Sequence, residues 1–347
     1  ISLFSFWVTI VFRRVLWSSI LLDPRRSFER VSLPIEARFD PLTGRVCIIS
    51  ELRFSLPAKT DFSEIAKATE MFCPFCPARV ETATPMFPEE FIPNGRIRIG
   101  EAVVVPNLMP YSQYSAVTVI CQKHFVKMTE FTQKVLADAF LASQEYLKRV
   151  ALHDRSQKHF LINWNFMPPS GGSIIHPHLQ PVSYEEPMGY YARQLEDSKK
   201  FHENHGYNFW EHLVEEEKRL GERYLGATGA IHWITAFAPR SYLFEVIAVF
   251  PKKTSILELE QSDIENFANG LVRILNYMDT QNISSFNLTL QSGPLNEHHY
   301  RVNASIIPRF TLPPLGTSDT ASLRALNDLS VCYKKPETTC NELKQYF

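Results

Sequence analysis

The chain has 347 residues, 45% of them hydrophobic and 21% charged, which is enough for one large or two medium globular domains. A formal net charge of −1 supplies no basic face, so general nucleic-acid binding is not expected. Six cysteines (Cys47, Cys73, Cys76, Cys121, Cys332 and Cys340) are too sparse for a disulfide framework and point to a reduced, cytoplasmic setting with thiols free or on a metal.

Ile1 to Leu22 is apolar but interrupted by Arg13 and Arg14, so neither half approaches the roughly 20 residues of a membrane span. Residues 1–30 are read as a packed or peripheral N-terminal segment, with no membrane partner. Residues 34–50 read as strand, turn and strand around Pro41-Leu42-Thr43-Gly44. Residues 56–100 hold many prolines and two cysteines, and are expected to be irregular and cross-linked. A strand at 116–120 leads to a helix at 129–150, patterned by Phe131, Val135, Leu136, Phe140, Leu141 and Leu147. A strand at 160–166 follows, then a Pro/Gly/Ser loop at 167–173. Residues 184–226 are expected to be helical, with Glu215-Glu216-Glu217 on a solvated face. Strands at 232–235 and 244–250, a helix at 262–278 and strands at 285–290 and 301–307 complete the pattern. The tail from Thr311 is polar and weakly patterned.

Two sections read as copies. In the first, a strand ending near Cys121 meets Lys123-His124, a helix, the strand around Asn163 and Asn165, and a loop to His176-Pro177-His178-Leu179-Gln180-Pro181. In the second, a strand ending at Phe250 meets Lys252-Lys253, a helix, the strand around Leu288, and a loop to Asn303-Ala304-Ser305-Ile306-Ile307-Pro308. The second copy has no histidines at the matching places. That is the pattern of a duplicated domain in which one copy keeps the chemistry.

On a strand, His176, His178 and Gln180 share one face. Two imidazoles and an amide in a row suit a metal site or a phosphoryl site. The preceding Ser170-Gly171-Gly172-Ser173 offers backbone N–H groups that can approach phosphate oxygens. A neutral imidazole can attack an α-phosphorus and hold the nucleotidyl group, and a placed amide can hydrogen-bond a phosphate oxygen through the transition state. Cys73-Pro74-Phe75-Cys76 is a Cys-x-x-Cys without the strand-to-helix context of a redox motif. Zinc there needs two more ligands, for which His124 and His176 are candidates.

These pieces resemble the galactose-1-phosphate uridylyltransferase family of the histidine-triad superfamily. Arg38-Phe39-Asp40-Pro41-Leu42-Thr43-Gly44, Cys73-Pro74-Phe75-Cys76-Pro77, Val119-Ile120-Cys121-Gln122-Lys123-His124, Asn165, Gly171-Gly172-Ser173 and His176-Pro177-His178-Leu179-Gln180 stand in the family order over residues 35–185, with a fainter match to Pro308. The resemblance implies that His178 is the nucleophile, with Gln180 and Ser173 as catalytic partners. It implies nucleotide and phosphate contacts from Arg53, Asn107, Asn165, Gly171, Gly172, Ser173 and Gln180. It implies one structural Zn2+ on Cys73, Cys76, His124 and His176. Departures are equally visible. Leu56 stands where many members carry a second arginine. Asn303, Ser305 and Gln291 stand where many carry a second metal site, which is therefore expected to be absent. The C-terminal hexose-phosphate motif of glycine, aromatic and glutamate is not visible after Pro308.

The expected fold is α+β: two tandem histidine-triad-like domains, mostly antiparallel sheets flanked by helices. The expected divisions are an N-terminal segment (1–30), a catalytic N-terminal domain (31–185), a degenerate C-terminal domain (186–315) and a tail (316–347). The resemblance implies a ping-pong nucleotidyltransferase of galactose and nucleotide-sugar metabolism, with a UDP-glucose–hexose-1-phosphate uridylyltransferase as the leading form. Its partners would be a nucleotide-sugar and a sugar 1-phosphate or phosphate, and its assembly a homodimer. An ADP-sugar phosphorylase or dinucleoside polyphosphate phosphorylase is the alternative within the same chemistry. A catalytically inactive, zinc-stabilised nucleotide-binding protein is the alternative outside it.

Overall fold

A computed structural model describes residues 10–51 and 59–347. Strands β1 (Arg14–Asp23) and β2 (Glu29–Phe39) open it as an antiparallel ribbon, paired from Arg14 opposite Arg38 to Asp23 opposite Glu29. Most of this ribbon is not packed: Leu16, Trp17, Ile20 and Leu22 are exposed. Strand β2 turns into β3 (Val46–Ile49) through Pro41 to Gly44, where Asp40 Oδ1 accepts from the Leu42 and Thr43 N–H groups, as the sequence leads one to expect.

The proline-dense stretch is more regular than expected. It holds the short helices α1 (Ser63–Glu70) and α2 (Pro77–Ala83). Pro77 opens α2, where its fixed φ fits and its missing N–H has no helical partner to lose. Next come β4 (Ile97–Ile99), β5 (Ala102–Pro106), β6 (Tyr114–Val119), α3 (Gln133–His153), β7 (His159–Phe166) and β8 (His178–Tyr184). Helices α4 (Gly189–His205) and α5 (Phe209–Leu220) end at Gly206 and Gly221, both left-handed. The second of these caps stops the helical stretch short of residue 226 and releases the chain into β9 (Tyr224–Thr228). The acidic run in α5 is not a solvated face. Glu216 and Glu217 are buried, and Glu217 pairs with the buried Arg223 at 2.9 Å.

Strands β10 (Ile231–Thr235) and β11 (Val246–Val249), helix α6 (Gln261–Thr280) and strands β12 (Ser285–Gln291) and β13 (Asn303–Arg309) follow. The tail is structured: β14 (Thr311–Leu312), β15 (Thr317–Ser318), α7 (Ser322–Asn327), β16 (Ser330–Cys332) and α8 (Pro336–Leu343). Strand β16 returns to pair parallel with β3, and Phe347 packs on Trp233. Few of these tail contacts are local, which is why periodicity does not reveal them.

The main sheet has ten strands in the order β4-β5-β6-β8-β7-β12-β13-β11-β10-β9. That order reads the same from either edge. Each half is strand, strand, helix, strand, strand (β5-β6-α3-β7-β8 and β10-β11-α6-β12-β13). The halves meet where β7 and β12 pair antiparallel, with Trp164 opposite Leu288 and Asn165 opposite Asn287. The sequence repeat is thus one continuous antiparallel sheet with an approximate dyad at its centre.

Alternation along β7 decides the two faces. Phe160, Ile162, Trp164 and Phe166 point under α3 and α6 into the core, while Asn163 and Asn165 point to the other, polar face. Each such large apolar side chain contributes roughly 1.5–3 kcal/mol by leaving water. The helices meet over the seam through Phe140 and Phe267, whose rings lie edge-on at 5.2 Å. Gly270 lets α6 sit on Trp233; a Cβ there would run into the indole ring.

The register also equates positions between halves. Leu179 lies opposite Trp164 in the first and Ile306 opposite Leu288 in the second. With the paired core residues Trp164 and Leu288 taken as equivalent, His178 corresponds to Ser305, and His176 to Asn303.

Candidate active site and metal centre

Cys73 and Cys76 come from the turn between α1 and α2, His124 from the segment after β6, and His176 from the segment before β8. Their ligand atoms all lie within 4.8 Å of one another. The Cys76 Sγ is 3.4 Å from His124 Nδ1 and 3.6 Å from His176 Nδ1, and the Cys73 Sγ is 3.7 Å from His176 Nδ1. A tetrahedral metal with bonds of about 2.3 Å to sulfur and about 2.0–2.1 Å to nitrogen sets sulfur and nitrogen roughly 3.6 Å apart. The far nitrogens are held from behind. His176 Nε2–H donates to the Cys121 carbonyl at 2.7 Å, and His124 Nε2 meets Thr69 Oγ1 at 3.2 Å. With Nε2 protonated, the His176 Nδ1 lone pair faces the thiols, which is the arrangement a metal-ligating histidine needs. Burial, with Cys73 alongside, pushes the Cys76 thiol up to about 12, while burial brings His176 down to about 4. Two thiols and two imidazoles with these partners fit one four-coordinate metal.

His176 is not on the strand, contrary to the expectation that it shares a face with His178 and Gln180. Strand β8 begins at His178, and His176 lies before it with its ring turned to the cysteines. His178 and Gln180 do share a face. His178 is 7% exposed, and its Nδ1–H donates to the His176 carbonyl at 2.9 Å. That bond leaves the Nε2 lone pair uncommitted. Burial lowers the pKa of His178, so the imidazole is neutral near pH 7. Phe75, from between the two cysteines, holds one side of the ring with centroids 5.2 Å apart.

Gln180 ends a chain of amides whose polarity is fixed by its far end. Arg309 can only donate, so Asn287 Oδ1 accepts from Arg309 Nη1 at 2.7 Å. Asn287 Nδ2 then donates to Asn165 Oδ1 at 2.6 Å and to the Ser170 carbonyl at 2.9 Å. Asn165 Nδ2 is left to donate to Gln180 Oε1 at 3.3 Å. The Gln180 NH2 group is consequently its free end, able to donate to an anionic oxygen.

The loop at 167–173 is shaped by its backbone. Met167 has φ +67°, an unusual value for a side-chain-bearing residue, and Gly171 is left-handed at φ +90°. Gly172 packs against β7, where a Cβ would come within 2.9 Å of the Asn165 carbonyl oxygen. Ser173 is exposed on this loop. Asn107 lies at the end of β5, where Nδ2 donates to Ser115 Oγ at 3.2 Å and Oδ1 accepts from the Met109 N–H at 3.0 Å. Arg53 and Leu56 lie outside the described residues.

Asn163, Asn165, Gln180, Asn287 and Thr289 line an open cleft of about 340 Å3 across the seam of the halves. Asn287, Arg240, Arg309 and Arg324 escape sequence reasoning, since no motif joins them. The dyad alone could have signalled Asn287, as the strand partner of Asn165. In the second half, Ser305 Oγ donates to Glu245 at 2.6 Å, and Glu245 is also held by Arg240 at 2.9 Å. Gln194 and Gln291 keep buried, unpartnered amide oxygens nearby in the fold. This set offers oxygen donors and neither the thiolates nor the imidazoles that zinc prefers.

No family model matches the chain. A protein of Archaeoglobus fulgidus, described as uncharacterized, is 33% identical over 313 residues, covering 90% of this chain and 92% of the relative. A GalT-like protein from Arabidopsis thaliana superposes with a TM-score of 0.70 at 17% identity, over 90% of this chain and 98% of that one. An ADP-glucose phosphorylase from Arabidopsis thaliana, solved with bound ADP-glucose, gives 0.70 at 17% identity, over 90% and 99%. A uridylyltransferase gives 0.63 at 20% identity, over 89% and 98%. The chain belongs to one family with the archaeal protein, and its fold is that of the galactose-1-phosphate uridylyltransferase-like proteins.

Proposed function

We propose that the protein is a nucleotidyltransferase that carries a nucleoside monophosphate on His178 Nε2. The observation that carries this reading is the His178 ring itself: neutral, buried, its Nδ1–H tied to the His176 carbonyl, and Nε2 left on the face shared with Gln180. The Nε2 lone pair attacks the α-phosphorus of a nucleoside diphosphate sugar. A P–N bond forms, the bond to the bridging oxygen breaks, and the sugar 1-phosphate leaves with that electron pair. A phosphate leaving group needs little protonation, so no acid is required beside it. Gln180 donates to a non-bridging oxygen of the transferring group, and the loop bearing Gly171, Gly172 and Ser173 supplies further N–H donors. In this reading Arg53 and Asn107 are further nucleotide contacts.

Zinc is the metal whose ligand set Cys73, Cys76, His124 and His176 would complete, in a closed structural site. Bound there by four protein ligands, it would fix the backbone on which His178 hangs and would leave no open position for substrate.

A UDP-sugar donor is the first form of this reading. The second form, an ADP-sugar donor with phosphate as acceptor, draws on the likeness to the phosphorylase solved with ADP-glucose. Incubation with UDP-glucose and ADP-glucose, each radiolabelled at the α-phosphorus, separates the two forms. Acid-labile, base-stable label on the protein from one donor only assigns the base. Labelling by neither contradicts the transfer reading.

A further inference from the structure

The cleft that holds Gln180 and Asn165 continues past them to two arginines of the second half and tail. Among the described residues, Arg240 and Arg324 are the charged ones on its wall, and the remainder of the lining is neutral. Arg240 is already engaged: its Nε and backbone N–H both donate to Glu245, at 2.9 and 2.8 Å. Arg309, close by, is clasped by both oxygens of Asp319 at 2.8–3.0 Å. Arg324 is different. It is brought in by the short tail helix α7, and its Nη1 is buried with no hydrogen-bond partner among the described residues. The acids that bear on it are Asp319 and Glu245, the same two that Arg309 and Arg240 occupy. Among the described residues the cleft therefore carries one guanidinium charge without a counter-ion of its own, and a buried donor without an acceptor is a standing cost to the folded state.

An anion held in the cleft supplies the missing counter-charge to the Arg324 guanidinium. A guanidinium fork suits the paired oxygens of a phosphoryl group better than it suits sugar hydroxyls. The space, about 340 Å3, admits more than a bare oxyanion.

We propose that Arg324, backed by Arg240, forms an anion subsite facing Gln180 that holds the phosphoryl group of the acceptor in the second half-reaction and of the leaving group in the first. The inference rests on the transfer reading and adds the residue and ligand class that complete it. In the second half-reaction, an oxygen of the bound phosphoryl group attacks the α-phosphorus of nucleotidyl-His178. A P–O bond forms, the P–Nε2 bond breaks, and its electron pair returns to Nε2. The nucleophile is already an oxyanion, so no proton needs to move. The tail, which carries no family motif, is thereby a specificity element.

The ligand chemistry is a phosphoryl dianion, either inorganic phosphate or the phosphate of a sugar 1-phosphate. Calorimetric titration of the full chain with inorganic phosphate and, separately, glucose 1-phosphate tests it without any turnover. The expected result is binding of at least one of them, weakened tenfold or more in Arg324→Gln and by less in Arg324→Lys, which keeps the charge and loses the fork. The tighter of the two ligands identifies the source. No binding of either to the unaltered chain, or equal affinity in Arg324→Gln, overturns the subsite; should Arg324→Gln not fold, equal affinity in Arg324→Lys does so. If phosphate binds through Arg324 while His178 takes no label from any nucleotide-sugar, the subsite stands and the transfer reading falls.

Discussion

Asn287 and Asn165 meet at the dyad of the sheet, with Asn287 Nδ2 donating to Asn165 Oδ1 at 2.6 Å. One residue comes from each half, so the half with Asn303 and Ser305 in place of His176 and His178 sets the orientation of Gln180 in the other. Asn287→Asp keeps the acceptor for Arg309 and loses both donors, to Asn165 and to the Ser170 carbonyl. The expected outcome is a fall in the rate of His178 labelling of about ten- to a hundredfold, below the ~10²–10³ of losing an oxyanion donor outright. Metal content and donor affinity should stay near those of the unaltered chain. Rapid-quench labelling beside metal analysis checks this.

Metal analysis of purified protein should give one zinc per chain. Cys76→Ser and His124→Ala are each expected to lose it and to melt well below the unaltered chain, because binding to such a site is coupled to folding. Full alkylation of Cys73 and Cys76 in native protein, with no zinc present, contradicts the four-ligand assignment.

His232 supplies a pH prediction at a distance from the metal centre. Burial, then the nearby Lys218 ammonium, lowers its pKa to about 4. Its Nδ1 meets Tyr224 OH at 2.9 Å and its Nε2 meets Lys218 Nζ at 3.2 Å, an environment for the neutral ring. Between about pH 4 and 6.5 the unfolded chain binds more protons at this residue than the folded one. Stability should therefore drop as pH falls from about 6.5 towards 4, and His232→Gln should flatten part of that slope in urea melts at pH 7, 6 and 5. An unchanged slope contradicts it.

Gly270→Ala places a methyl group against the Trp233 indole, which is fully buried and stacked on Phe267. Overpacking of this kind costs roughly 1–3 kcal/mol. Chemical denaturation should show that loss, with labelling of His178 unaffected at temperatures where the variant is folded.

Much of the fold was legible because its signals are local. Alternation in β7 and helical spacing in α3 follow from which face meets the core. The two-copy pattern anticipated the halves, but not that β7 and β12 join them into one sheet, since strand pairing between distant segments leaves no mark on either. The four metal-cluster residues were legible from residue type, resemblance and order. Period-two spacing puts His176 on the strand because it takes no account of Pro177 and the turn before β8. The burial of Glu217 leaves no local signal because its partner Arg223 lies beyond a glycine cap. Arg324 and Asn287 act through tertiary placement alone, and no spacing in the chain predicts them.

The most direct test of the account is to find where a nucleotide-sugar leaves its label. The protein is incubated with UDP-glucose or ADP-glucose, digested under alkaline conditions that preserve a phosphoramidate, and the peptide containing His176 and His178 is sequenced by mass spectrometry. The account predicts a nucleoside monophosphate on His178 and none on His176, with the adduct absent from His178→Ala and reduced in Asn287→Asp. An adduct on another residue, or none from any nucleotide-sugar on folded, zinc-loaded protein, contradicts it.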